Sequence, residues 1–177
     1  MGTISARQTQ LPAKTLRAWT MDEEQVRGPA GFDLDAYCAR INYTGSRSTC
    51  LDTLKALQYA HVHAVPFENL DIHLGVPISL APFHLFDKIV KRKRGGYCYE
   101  VNSLFAIALR SFGFDVQCLL GRVPFGFSDI RPRSHQLLLV NLLDGKWIAD
   151  VGFGSCCLGY LLPLSANGCL KTLPPMV

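Results

Sequence analysis

No run of about 18 consecutive apolar residues occurs in this 177-residue chain, which excludes a membrane-spanning helix. The opening residues, Met1 to Leu11, are polar and lack an apolar segment, so no secretory signal is expected. Charge of one sign is scarce too. A net charge of +4 fits an anionic small molecule and is too weak, without a motif, to predict a nucleic-acid partner. None of the seven cysteines, Cys38, Cys50, Cys98, Cys118, Cys156, Cys157 and Cys169, forms a C-x-x-C pair, so no structural zinc or other metal is expected. Their count is odd and no export signal accompanies them, so they read as reduced thiols in a cytoplasm. With 49% hydrophobic and 18% charged residues, the chain has the composition of a soluble globular protein with one substantial core.

Three parts follow from the pattern. Residues 1–31 are polar, with Pro12, Pro29, Gly28 and Gly31, and read as a loosely ordered leader. Residues 32–113 carry helical spacing. Asp33 or Asp35 caps a short helix holding Leu34, Tyr37, Cys38 and Ile41. Thr49 caps a second, with Leu51, Leu54, Leu57 and Ala60 on one face, which Pro66 stops. Leu85, Ile89 and Val90 mark a third, ended by Gly95-Gly96. A fourth runs from Cys98 to about Ser111, with Val101, Leu104, Phe105, Ala108, Leu109 and Phe112 recurring every three or four residues and Gly113 as its stop. Residues 114–177 change texture. Val116 to Val123 reads as a strand, Pro124 to Ser134 as a loop, His135 to Leu143 as a strand, Asp144-Gly145 as a two-residue turn and Lys146 to Val151 as its partner. Helices first and antiparallel strands second make an α+β fold.

The chemistry concentrates in Arg94-Gly95-Gly96-Tyr97-Cys98-Tyr99-Glu100. Cys98 stands at a helix start, where unpaired N–H groups and the helix dipole favour a thiolate. Of the seven cysteines only this one has a context that predicts reactivity. His135 leads an apolar strand, and Asp150 precedes Val151-Gly152-Phe153-Gly154. These residues are 37 and 15 positions apart. Thiol, imidazole and carboxylate are the parts of an activated nucleophile. Each is weak alone: the cysteine is compatible with a small core residue, His135 with a satisfied strand histidine, and Asp150 with a turn start.

Together these segments closely resemble the arylamine N-acetyltransferases over residues 32–164. Val65-Pro66-Phe67-Glu68-Asn69-Leu70-Asp71-Ile72-His73-Leu74-Gly75 and Tyr37-Cys38-Ala39-Arg40-Ile41 add to the match. The resemblance implies a papain-like core, with a helical bundle carrying the cysteine and an antiparallel β-barrel carrying histidine and aspartate. It also implies ping-pong transfer. Cys98 takes the acetyl group from acetyl-CoA, His135 handles the proton, Asp150 orients the ring, and an arylamine, arylhydrazine or N-hydroxyarylamine collects the group. Phe67, Gly152, Phe153 and Gly154 match positions near the acceptor pocket, with core packing an equal alternative for the aromatics. Val123 belongs there by its place before the loop. Family members continue past a Pro-Leu stretch, here Leu162-Pro163-Leu164, into an α/β lid. Because this chain stops at Val177, the resemblance implies a partial barrel with the lid missing, an open cleft, impaired transfer and apolar faces prone to self-association.

Two other readings keep their place: another papain-like cysteine enzyme sharing only the triad, and an inactive homologue acting by association. The run Lys91-Arg92-Lys93-Arg94 reads as cations at a helix C-terminus, Arg94 excepted. His61, His63, His73 and His84 are assigned no chemistry. One geometric difficulty stands. With an Asp144-Gly145 turn, Asp150 pairs opposite Leu139, and His135 lies four residues further, roughly 13 Å at strand rise. A bulge, twist or irregular entry is then required.

Overall fold

The structure is a computed structural model, and it describes residues 17–18, 31–123, 132–154 and 159–164. Asp33 opens the first helix, α1 (Leu34–Arg40), by accepting the Ala36 N–H at 2.9 Å. α2 (Leu51–Ala64) starts one residue later than its expected cap. Cys50, with extended backbone, takes the cap position instead of Thr49. Its end agrees with the rule that a residue before proline leaves the helical region: Val65 is extended ahead of Pro66. A single turn, α3 (Leu70–His73), was not foreseen. The third expected helix is α4 (Pro82–Leu85), which runs on as a π-helix (Phe86–Lys91) and stops before the two glycines. α5 (Cys98–Phe112) ends on Gly113 at φ 99°, a left-handed position that glycine fills without strain.

The strands are β1 (Arg17–Ala18), β2 (Asp115–Gly121), β3 (His135–Leu142), β4 (Gly145–Ala149) and β5 (Leu162–Leu164). They form one antiparallel sheet in the order β1-β2-β3-β4-β5. Among the described residues this sheet is open, with the short β1 and β5 at its edges, so the expected barrel is not closed. β1 lies inside the segment read as a leader. The loop residues 124–131, and Cys156, Cys157 and Cys169, lie outside the described residues.

α5 is the centre of the molecule. It packs between α1, α2, α4 and the π-helix on one side and the sheet on the other, in one core that includes Tyr37, Leu54, Leu57, Ile89, Leu104, Phe105, Val116, Leu138 and Ala149. Twelve of its 15 residues are buried, so it is covered nearly all round rather than along one stripe. That burial forces Glu100, Asn102 and Ser103 to find partners inside the protein. Leu119, Leu139 and Ile148 form a smaller cluster on the opposite face of the sheet. Arg40 ties the helices together, donating to the carbonyls of Ile89 at 2.8 Å and Ala64 at 2.7 Å. His61 is fully buried with its Nδ1 bonded to the Tyr37 hydroxyl at 2.8 Å. Burial, reinforced by the Arg40 charge, lowers its pKa to about 3, which makes it a neutral core residue.

Candidate active site

Cys98 is the first residue of α5 and is only 8% exposed. Its approach is held by backbone packing. Glu68 N–H donates to the Gly96 carbonyl at 3.0 Å, and Phe67 and Gly96 form a parallel bridge. A Cβ on Gly95 would stand 1.9 Å from the Pro66 carbonyl oxygen, so only glycine fits this crossing. Glu100, three residues into the helix region, accepts the Tyr97 N–H at 3.2 Å, which caps the turn that presents the thiol.

His135 opens β3, and its Nε2 lies 2.6 Å from Asp150 Oδ2. Asp150 Oδ1 accepts from Asn102 Nδ2 at 3.0 Å and from Gly152 N–H at 2.9 Å. On the thiol side, His135 and Cys98 are close enough for the sulfur to act on the imidazole electrostatically. The Cys98 sulfur is also 3.9 Å from the Ser134 carbonyl. Burial alone would lower the His135 pKa. Hydrogen bonds with Asp150 and Cys98, and their charges, outweigh burial and raise it to about 9. His135 and Asp150 are therefore paired, and the Cys98 sulfur lies against the residue that precedes His135.

The expected distance problem is solved by register. Leu142 pairs with Gly145 and Leu138 with Ala149, so the turn is Leu143-Asp144, one residue earlier than expected. Continuing that register puts Asp150 opposite Leu137, two residues from His135 instead of four. Side chains of one face then span the remainder, and no bulge is required.

The pocket candidates divide into two contacts. Phe153 packs edge-on against His135, ring centres 4.8 Å apart. Gly154, at φ 67°, lies beside Phe67, whose ring would be 3.7 Å from a Cβ placed there. Gly152 is needed for close approach, since a Cβ would fall 2.9 Å from Cys98 Cα and 2.7 Å from Val101 Cγ2. Val123 is half-buried two residues beyond Gly121, which pairs with His135. Phe67 is 44% exposed, which sets it apart from the core aromatics.

Sequence reasoning missed the supporting polar residues. Asn102 also donates to the Gln136 carbonyl at 2.7 Å and accepts from Val151 N–H at 3.1 Å, joining α5 to both site strands. Gln58, fully buried on α2, accepts the Asp150 N–H at 3.2 Å. Lys88 reaches Glu100 and Asp71 at 2.8 Å each. The helical pattern alone does not separate them from solvent-facing polar residues. Arg94, set apart from its basic run, bonds Glu68 at 2.7 Å and Asp71 at 2.8 Å, while Arg92 pairs with Asp87 at the surface. Cys98 is not the only cysteine with an activating context. Cys50 is exposed, and hydrogen bonds from Ser48 and Thr53 lower its thiol pKa to about 7.

A family profile described as N-acetyltransferase matches residues 50–172. The chain belongs to the arylamine N-acetyltransferase family. It is 48% identical to an arylamine N-acetyltransferase of Escherichia coli over 122 residues, covering 68% of this chain and 43% of that protein. The solved arylamine N-acetyltransferase of Salmonella typhimurium superposes with a TM-score of 0.74 at 43% identity, over 77% of this chain and 50% of that one. The Mycobacterium marinum enzyme, solved in complex with CoA, gives a TM-score of 0.71 at 41% identity, over 75% and 51% of the two chains. The chain thus spans about half the length of the relatives it matches. Among the described residues no helix is long and apolar enough to cross a membrane.

Proposed function

We propose that this protein transfers an acetyl group from acetyl-CoA to an aromatic amine, hydrazine or N-hydroxyarylamine through a thioester on Cys98. The observation that carries the reading is the imidazole–carboxylate pair, His135 Nε2 2.6 Å from Asp150, set beside the α5 thiol, whose sulfur is 3.9 Å from the Ser134 carbonyl. In this reading residues 32–113 supply the nucleophile and the strands of 114–177 supply base and acid, in a papain-like arrangement working in a reducing cytoplasm. Relatives that share the sequence and fold over this stretch are named for this activity, and one was solved with CoA.

In the first half-reaction Cys98 sulfur attacks the thioester carbonyl and the CoA thiolate leaves. His135 keeps its proton up to about pH 9, so at neutral pH it is an acid ready to protonate that thiolate. In the second half the amine attacks the Cys98 thioester and His135 takes the proton the nitrogen sheds. The bond between the acetyl carbon and Cys98 sulfur then breaks, the acetylated amine leaves, and the starting sulfur and protonated His135 are restored. Asp150 does not exchange the proton. It fixes the ring and stabilises its charge, itself anchored by Asn102 and Gly152. Phe67, Val123, Phe153, Gly152 and Gly154 would border the aromatic acceptor. Intact-mass measurement after incubation with acetyl-CoA tests the reading. One acetyl adduct, absent in Cys98→Ala and discharged by an arylamine, is expected. An adduct that persists in Cys98→Ala, or none in the parent protein, would overturn it.

A further inference from the structure

Lys88 sits in the π-helix with its side chain 7% exposed, and no motif of the sequence marks it. Its ammonium lies 2.8 Å from Asp71 Oδ2, 2.8 Å from Glu100 Oε1 and 3.7 Å from Glu68 Oε1. Arg94 closes the cluster from the other side through Glu68 and Asp71. Two cations thus face three carboxylates in a largely buried setting, where charges are weakly screened. Glu100 is the member closest in the chain to the nucleophile, two residues after Cys98. Its Oε1 goes to Lys88 and its Oε2 to the Tyr97 N–H.

We propose that Lys88 is a positioning residue for the acetyl transfer: by neutralising Glu100 and Asp71 beneath the first turn of α5, it keeps the surroundings of Cys98 electrostatically open to an anionic sulfur. The inference rests on the thioester reading above and extends it to a residue that touches neither substrate nor sulfur. Burial opposes the Lys88 charge, but hydrogen bonds to Asp71 and Glu100 outweigh it and raise the ammonium pKa, so Lys88 is charged throughout the working range. Among the described residues, the other titratable groups that act on Cys98 are Tyr97 and Tyr99 on its own segment, both pushed up chiefly by burial and therefore neutral, and His135, itself paired with Asp150, from the sheet side. Removing Lys88 leaves three carboxylates against Arg94 alone, two net negative charges where there was one. Removing the Glu100 charge leaves none.

That arithmetic gives opposite signs for two substitutions, which a purely structural role would not. The measurement is the pH dependence of Cys98 alkylation by iodoacetamide, followed by peptide mapping so that Cys50 is counted separately. Lys88→Gln is expected to move the midpoint up by about one pH unit, the order of size that one uncompensated charge in a weakly screened setting gives. Glu100→Gln, which keeps the cap, is expected to move it down. Lys88→Gln/Glu100→Gln restores the net charge and should return near the parent value, and Lys88→Arg should stay there. If Lys88→Gln does not fold, the downward shift in Glu100→Gln still decides the matter. Midpoints that stay put, or that move the same way in both single variants, would overturn the proposal even if acetyl-CoA still acetylates Cys98. A parent Cys98 labelled no faster than free cysteine at any pH would instead overturn the thioester reading, and this inference with it.

Discussion

Asn102→Ala is the substitution that most directly tests how the site is held. The Asn102 side chain makes three hydrogen bonds, to the Gln136 carbonyl, to Asp150 Oδ1 and from Val151 N–H, and the residue is fully buried. Asp150 Oδ1 keeps the Gly152 N–H after the change, and an under-satisfied carbonyl such as that of Gln136 is tolerated better than an orphaned N–H. Val151 N–H, however, loses its acceptor in a place water does not reach. A buried donor stranded this way costs about 1–3 kcal/mol, and the lost bond to a carboxylate adds a further share, so we expect about 3 kcal/mol in total. For a chain of this size that corresponds to a fall in Tm of about 6–12 °C. Calorimetry of the parent and variant measures it. The same variant should slow Cys98 alkylation, because Asp150 loses one of the bonds that aim it at His135. A fall in Tm below about 2 °C would refute the reasoning, since it would mean that Val151 N–H and Asp150 find equivalent partners without Asn102.

Three further outcomes follow from the same structure. At neutral pH, alkylation followed by peptide mapping should find Cys98 and exposed Cys50 labelled and buried Cys38 and Cys118, whose thiols burial pushes up, protected; His135→Ala should slow Cys98 and leave Cys50 unchanged, and equal labelling of all four would contradict the site. Because the folded His135 pKa is raised to about 9 from an unfolded value near 6.5, its stabilisation is complete below about pH 6.5 and is lost as pH rises through about 9. The Tm difference between the parent and His135→Gln should accordingly shrink across that window, and a difference that grows with pH would reverse the sign of the argument. Gly152→Ala places a methyl group 2.9 Å from the Cys98 Cα, so the strand end must shift. A loss of about 1–3 kcal/mol is expected with slowed Cys98 alkylation, and unchanged kinetics would show that this approach is not constrained.

What was legible in the sequence is what depends on local chemistry. Helix ends at Asp33, Pro66 and Gly113 follow from capping and backbone preference, and the start of α5 at Cys98 from the two glycines before it. The supporting residues were hidden because their role depends on tertiary placement. Asn102 and Glu100 fit an amphipathic helix as solvent-facing polar residues, and only a helix wrapped on both sides turns them inward. Lys88 was hidden for the same reason, on a π-helix that regular helical periodicity does not describe.

The turn between β3 and β4 shows how one residue of register changes a chemical conclusion. Asp-Gly is the strongest short hairpin signal, and it predicted a turn that left Asp150 too far from His135. The protein uses Leu143-Asp144 instead, leaving Leu143 fully exposed at the apex and Gly145 as the first strand residue at φ 145°. The glycine is therefore used for its conformational freedom, but one position later than the motif suggests. Turn propensity concerns only a few residues, whereas the slipped register would put the Trp147, Ile148 and Ala149 side chains against different neighbours. Ala149 belongs to the α5 core and Ile148 to the cluster on the other face, so packing on both faces selects the observed pairing. The 2.6 Å contact between His135 and Asp150 is thus a consequence of how β4 buries its apolar residues: the sequence names the partners, and the packing of the strand sets their distance.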